Sequence, residues 1–451
     1  MKKTLLILSL ILMMVTSCKK ESQENEEQIS TLLSTVPAKA SGVVVINLEE
    51  ILKDADYKIE NNKLVPGPEV KSIIENLPSY YQEYISNLPE NSGIDLKEMV
   101  AFFDSGRFYL TFLLNNENAF IKFVEEITQK EFTKESNGVK MTRDIAVKGS
   151  QAWVCLSDNR RVDPELIASY KSLKNEESFE STSMGKKMMN GDNNIIGWMN
   201  IGKASEEIMN RQERAQAMLL AGLVFEDPEA VEFTGNLKKG RMETKVTVIN
   251  SEGQPAKCVL PFEQVDVSTL KKLGSSCDFI GAFTITPALV NKFSRMMESF
   301  SGFMGFDINS VLQNINGTIG LAGNIRNETI AGIITTNGEL DQDQIGILKS
   351  FNDFGMISIN QDGNYLEVSN GLLYGDLGID ECTKALQGCW MGFVLSPQVI
   401  ASSDPYVAIP EEIDYIVFKL QPKSGSAEWV FEIKSENPNE NILITLLKSM
   451  F

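Results

Sequence analysis

The sequence predicts an α+β fold, internally duplicated, with antiparallel sheets and covering helices in the order A-B-A-B. Three observations predict it. A phrase of glycine, short apolar strand and helix start occurs four times, at Gly42 (GVVVINLEEIL), Gly197 (GWMNIGKASEEI), Gly281 (GAFTITPALV) and Gly392 (GFVLSPQVI). Between these phrases, long stretches alternate apolar and polar residues with period two, as half-buried hairpins do. Hydrophobic residues make up 43% and charged residues 23% of the 451, the balance of a chain that buries a core.

The N-terminus comes first. Residues 1–17 (MKKTLLILSLILMMVTS) place Lys2 and Lys3 before an apolar run at 5–15. The run is shorter than the ~20 residues of a membrane span and suits a secretory signal. Val15-Thr16-Ser17-Cys18 follows and resembles the lipobox of bacterial lipoproteins. That resemblance implies diacylglycerol on Cys18, cleavage before it and acylation of the new amine, so that the partner is a membrane reached through a lipid anchor. Residues 18–35 are the lipidated cysteine and a flexible acidic tether. Cys18-Lys19-Lys20-Glu21 partly resembles the surface-export signals of Bacteroidota lipoproteins, which leaves the periplasmic face and the cell surface of the outer membrane both open.

The body divides into halves at 36–255 and 256–451. The first A unit, about 36–158, continues through Ile94-Asp95-Leu96, a strand from Arg107, a helix near 117–131 and a hairpin at 138–156. The second, about 277–375, has Phe306-Asp307-Ile308, strands from Thr318 and Thr329, a helix near 341–352 and a hairpin from Gly355. The B units are single hairpins around Gly240 and Gly425. Aligning those glycines puts Met242, Thr244, Val246 and Val248 level with Ala427, Trp429, Phe431 and Ile433, and this set is expected to be the buried face in both copies. Helix starts have good chemistry. Thr286-Pro287 and Ser396-Pro397 put a hydroxyl at N-cap and proline at N1, and Asn47 with Glu50 reads as a variant capping box. The repeated glycine marks where the backbone enters the sheet or where a neighbour packs closely. It precedes the strand, whereas a phosphate loop follows one, so nucleotide binding is rejected. Residues 204–224 read as a helix ending before Asp227-Pro228, and 174–194 as a loop. The segment 57–92, with Pro66, Pro68, Pro78 and Pro89, reads as an insertion of broken helix and loop.

A phrase of lipobox, polar tether and VPAKASGVVVINLEEIL, with Pro37-Ala38-Lys39-Ala40 before the first strand, is similar to the start of uncharacterised Bacteroides-type lipoproteins, domain of unknown function 4836. The resemblance implies location and architecture. It brings no activity, cofactor or catalytic residue.

Composition excludes more than it assigns. The net charge of −19 excludes a nucleic-acid partner, which needs a positive field. The absence of histidine removes Ser-His-Asp and Cys-His catalysis, His-ligated zinc and imidazole bases. Beyond Cys18 there are five cysteines: Cys155, Cys258, Cys277, Cys382 and Cys389. An odd number leaves at least one free thiol in an oxidising compartment. Cys382 with Cys389 is the first candidate disulfide and Cys258 with Cys277 the second. Burial of each as a small hydrophobe is the alternative.

Acid–base chemistry without histidine would need paired carboxylates, as in glycoside hydrolysis. The candidates Asp95, Asp278 and Asp307 are scattered, and helix N-capping accounts for Asp95 and Asp307. Asp341 with Asp343, and Asn360, Asp362 and Asn364, have calcium-like spacing. The first lacks the glycine and terminal glutamate of a calcium loop, and Asp362-Gly363 sits where a hairpin turns, so no metal is assigned. The Met- and Phe-rich stretch 293–306 reads as a core-facing helix stripe, or else as the lining of a hydrophobic-ligand pocket. Lys238-Lys239-Gly240-Arg241 reads as a solvated hairpin tip. The expected function is therefore a non-catalytic binding or structural role for a lipid-anchored envelope lipoprotein, without catalytic residues or cofactor. The alternatives are a histidine-free, glycan-directed hydrolase and a hydrophobic-ligand carrier.

Overall fold

The computed structural model describes residues 32–60, 63–75, 79–157, 160–191, 193–208, 221–292, 313–342, 345–346, 358–403 and 409–448. The signal, Cys18, most of the tether, Asp307, Asp343, the 293–306 stripe and most of the 341–352 helix lie outside them. Among the described residues no helix is long and apolar enough to cross a membrane.

The chain is mixed α and β, mostly strands, and its centre is an 18-stranded sheet. The main elements in chain order are β1 (Gly42–Ile46), α1 (Leu48–Asp54), β2 (Ile94–Asp104), β3 (Arg107–Leu114), α2 (Glu117–Thr128), β4 (Gln151–Cys155), α3 (Pro164–Tyr170), α4 (Ser183–Met189), β5 (Ile195–Asn200), β6 (Pro228–Lys238) and β7 (Arg241–Asn250). They continue as α5 (Val267–Leu270), β8 (Phe279–Ile285), β9 (Ile315–Asn324), β10 (Thr329–Thr336), β11 (Ser358–Asp362), β12 (Tyr365–Ser369), α6 (Ile379–Ala385), β13 (Met391–Leu395), α7 (Pro397–Ser403), β14 (Ile413–Lys423), β15 (Ser426–Ser435) and α8 (Ile442–Lys448).

Neighbours in the sheet run β4-β3-β2-β1-β5-β6-β7-β15-β14-β13-β8-β9-β10-β12-β11, every pair antiparallel. Strand β1 lies between β2 and β5, and β8 between β9 and β13. Both β2 and β9 lose register near their starts, at Ile94/Met99 and Ile315/Ile319. The β6–β7 and β14–β15 hairpins meet at the centre through β7 and β15.

Local chemistry explains the elements. Strand β1 is an unbroken apolar run because both its faces are covered. Val43 and Val45 pack under Ile167 and Tyr170 of α3 and Met188 of α4, while Val44 and Ile46 face Leu48 and Leu52 of α1 and Phe120 and Phe123 of α2. In the second half one face, with Ile280, Ala282, Ile333 and Val394, is closed by Leu270 of α5 and Ile379 and Cys382 of α6. Asn47 caps α1 by accepting the Glu50 N–H at 3.0 Å. Glu50 turns to Lys53 instead of reaching back, so half a capping box forms.

Several expectations are corrected. Leu32 and Leu33, assigned to the tether, are fully buried with Val36 against Trp153 and Tyr170. The 57–92 segment contains a hairpin, Tyr57–Glu60 with Lys63–Pro66, besides its short helices. The 174–194 loop contains α4, capped by Thr182 and anchored by the buried Phe179 and Met188. Asp95 opens no helix: it lies in β2. The repeated glycines at 197, 281 and 392 sit within strands rather than before them. A Cβ at Gly197 would lie 1.9 Å from the Phe233 ring, and one at Gly281 2.4 Å from the Phe393 ring. Close packing, not entry into the sheet, is their requirement.

Candidate functional site

The acids named by sequence are held by backbone. Asp278, buried in the turn before β8, accepts the Ile325 N–H at 3.0 Å and the Asp376 N–H at 3.2 Å, pinning two crossing segments. Asp95 accepts the Lys97 N–H at 3.0 Å inside the β2 bulge. The bulge also carries Glu98, which sequence reasoning missed. It is 5% exposed, and its Oε1 finds no hydrogen-bond partner among the described residues. Burial, helped by the Asp95 charge, pushes the Glu98 carboxyl up to about 8. Burial also raises Asp95, against the Lys97 N–H and charge. Glu98 therefore favours the neutral acid.

A second polar group, also missed, lies where β7 meets β15. The register places Glu243 opposite Glu432 and Thr247 opposite Glu428. Glu428 is buried between Lys423 and Gln421, and Lys423 also donates to Thr247 at 3.3 Å. Glu243 pairs with Lys245 at 2.7 Å. Burial raises the Glu243 carboxyl, but the Lys245 hydrogen bond and the charges of Lys245, Arg241 and Lys238 outweigh it and hold the group ionised. Lys434 bonds Asp414 at 2.8 Å and lies over the Tyr415 ring. The sequence signal was present as the polar members of the β7 and β15 alternation. Glu243, Thr247 and Glu428 are buried; of the set expected inside, Val248 and Ala427 are buried, Met242, Thr244, Val246, Phe431 and Ile433 are half-buried, and Trp429 is 44% exposed.

These acids do not form a hydrolytic pair. An acid kept protonated and a base kept ionised must face one bond at about 5–10 Å. The raised carboxyls lie on β2 and the lowered one on β7, four strand spacings apart or roughly 19 Å. Among the described residues no group of three acids or cysteines could hold a metal ion. Asp362 pairs with Tyr365 across a turn at Gly363, the hairpin the sequence predicts. At the basic tip, Lys238, Lys239 and Arg241 are exposed, while Gly240 donates its N–H to Glu440 at 2.7 Å.

The five cysteines among the described residues are unbridged. Cys155, Cys277, Cys382 and Cys389 are buried and Cys258 is half-buried. Cys382 and Cys389, the candidate disulfide, are unbridged, and both lie in one buried core with Cys277.

Among the described residues, exposed apolar side chains line up on one face of the sheet. Cross-strand partners form a row over the second half: Leu321, Gly281, Phe393, Phe418 and Phe431. Leu321, Phe393 and Phe418 are each nearly half exposed. The Phe393 ring lies over Gly281, and the Phe418 and Phe431 rings pack with centroids 4.7 Å apart. On one side the row borders a small core of Ile416, Ile400 and Ile442; on the other, one of Leu420, Trp390 and Phe262. Period-two reading cannot find such a row, because it counts every apolar position as core.

No protein-family model and no curated protein matches the chain. Solved structures of TP0453 show similarity: crystal form IV at 12% identity, covering 48% of this chain and 79% of that one, with a TM-score of 0.27. Crystal form III stands at 10% identity, 78% and 96% coverage and 0.26. Crystal form I stands at 8%, 78% and 95%, and 0.27. Likeness at this level does not extend to function.

Proposed function

We propose that the protein is a non-catalytic lipoprotein of the outer membrane, anchored through Cys18, that binds an apolar ligand on the open face of its second half. The observation that carries the binding role is the exposed row of Leu321, Phe393 and Phe418 with Trp429 beside it. Soluble surfaces seldom leave large apolar side chains contiguous without using them. The lipobox sequence supports the anchor, and the likeness to domain of unknown function 4836 supports the envelope location. The A-B-A-B duplication belongs to this proposal: strand partners recur in the same order outward from the β7–β15 pair, with matching bulges in β2 and β9.

The test is binding of a fluorescent fatty acid to the purified protein. Saturable binding is expected, weakened at least tenfold by Phe393→Ser with Phe418→Ser. Absence of binding, or binding indifferent to both changes, overturns the apolar-ligand role. Turnover of glycans, esters or peptides that is lost in Glu98→Gln or Glu243→Gln would promote the hydrolase. Mass spectrometry of the envelope-extracted protein should show lipid on Cys18 and no residues 1–17. An unlipidated, intact N-terminus refutes the anchor.

A further inference from the structure

Two of the five thiols are brought together by chain segments that are distant in sequence. Ser276–Cys277 forms a two-residue antiparallel ladder with Leu377–Gly378, Cys277 opposite Leu377. The Ile379 N–H donates to the Ser275 carbonyl at 3.0 Å and the Gly375 N–H to the Ser276 hydroxyl at 3.2 Å. Contact is so close that a Cβ at Gly375 would lie 2.0 Å from the Cys277 carbonyl carbon. From this ladder the chain turns directly into α6, which carries Cys382 into the core that holds Cys277. Both side chains are fully buried in that core, and the Cys277 thiol raises the titration of Cys382. Cys389 lies in the same core but beyond the end of α6.

We propose that Cys277 and Cys382 are a disulfide-forming pair that is oxidised while the chain folds. This rests on the envelope reading for its oxidising compartment. The oxidant is a disulfide, either of a thiol–disulfide oxidoreductase or of a small molecule such as oxidised glutathione. The Cys277 thiol gives up its proton, and its sulfur attacks the oxidant, breaking that S–S bond and releasing one thiolate. The Cys382 thiol then loses its proton, and its sulfur attacks Cys277, releasing the second thiolate. The two cysteine protons end on the two released sulfurs. In the folded, reduced protein the neighbouring thiol and burial hold Cys382 protonated, so oxidation belongs to the stage of folding at which the ladder has aligned the pair and the core has not yet closed over it. The bridge closes a loop of about 100 residues, large enough to restrict the unfolded chain strongly.

Two preparations separate this proposal from the envelope reading. In the first, the full chain with Cys18→Ser is refolded in reduced and oxidised glutathione, alkylated without reduction and peptide-mapped. A linked pair of peptides containing Cys277 and Cys382 is expected, with Cys155, Cys258 and Cys389 alkylated. Five alkylated cysteines, or any other linkage including Cys382 with Cys389, overturn the pairing. In the second, the wild-type chain is expressed with its signal in a diderm host, quenched with alkylating agent and mapped in the same way. The bridge is expected there too. Its absence there, with its presence after refolding, overturns the oxidising location and leaves the pairing intact. Cys389→Ser should keep the linkage, and Cys277→Ser should leave Cys382 alkylated. Reduction should lower the melting temperature of the bridged wild-type protein and leave that of Cys382→Ser unmoved. A Cys389→Ser variant that loses the linkage, or equal melting temperatures for bridged and reduced wild type, also refutes it.

Discussion

At Glu98 the fold keeps a carboxyl where its charge is unwelcome. Its titration, raised from 4.5 to about 8, makes stability depend on pH in a fixed direction. Between those values the unfolded chain has lost the proton and the folded chain keeps it, so stability falls as pH rises through the window and levels off above it. At about 1.4 kcal/mol per pKa unit the swing is a few kcal/mol. Glu98→Gln, a neutral mimic of the acid, is expected to flatten the urea midpoint between pH 5 and 8 and to exceed wild type at pH 8.5. Two hydroxyls give a second residue-scale contrast. Thr286 accepts the Leu289 N–H at 3.2 Å, so Thr286→Ala should cost about 1 kcal/mol. Ser396 was expected to cap in the same way, but its buried hydroxyl has no partner among the described residues. Ser396→Ala should be neutral or stabilising in the same denaturation assay, because it removes an unpaired polar group.

Among elements, the four glycine strands share a sequence pattern but not a packing requirement. A Cβ at Gly42 would meet nothing closer than 3.6 Å, an ordinary contact, whereas at Gly197 and Gly281 it would enter an aromatic ring. Gly42→Ala is therefore expected to change stability by less than about 0.5 kcal/mol. Gly197→Ala and Gly281→Ala should each cost about 1–3 kcal/mol through displaced Phe233 and Phe393. Equal effects at the three positions would show that the rings yield freely. Strand positions were legible from β-branched runs and hairpin glycines: Gly240 and Gly425 do turn with positive φ. The β2 bulge was not legible, since Ile94-Asp95-Leu96 carries the same polarity as a helix start and only pairing with β3 decides between them.

Over the whole molecule, the N-terminal boundary and the centre of the sheet carry the testable consequences. A chain starting at residue 36 loses buried Leu32 and Leu33. It also loses Thr35, whose hydroxyl accepts from the Gln151 amide at 2.8 Å. Against a chain starting at 32 it should be less stable by several kcal/mol, at about 2–3 kcal/mol per buried leucine, read as a lower urea midpoint. Separating residues 32–255 from 256–451 would expose β7 and β15 as long edges that now pair over seven positions. Co-expressed halves should co-purify, and either half alone should aggregate or self-associate through the freed edge. Two soluble, monomeric halves would show that the β7–β15 pair contributes little.

By itself the sequence determined the class of structure, the hairpins and most helix starts, because periodicity, β-branching and capping are local properties. It also determined what chemistry is unavailable, since a chain without histidine cannot acquire imidazole by folding. Only the tertiary structure decided which face of each strand is covered. Glu243 and Glu428 go inward and Trp429 outward because β7 and β15 pair with each other and their carboxylates meet lysines, Lys245 on β7 itself and Lys423 on β14. It alone brought Cys277 against Cys382, since the ladder joining them closes a loop of about 100 residues and no local pattern encodes that closure.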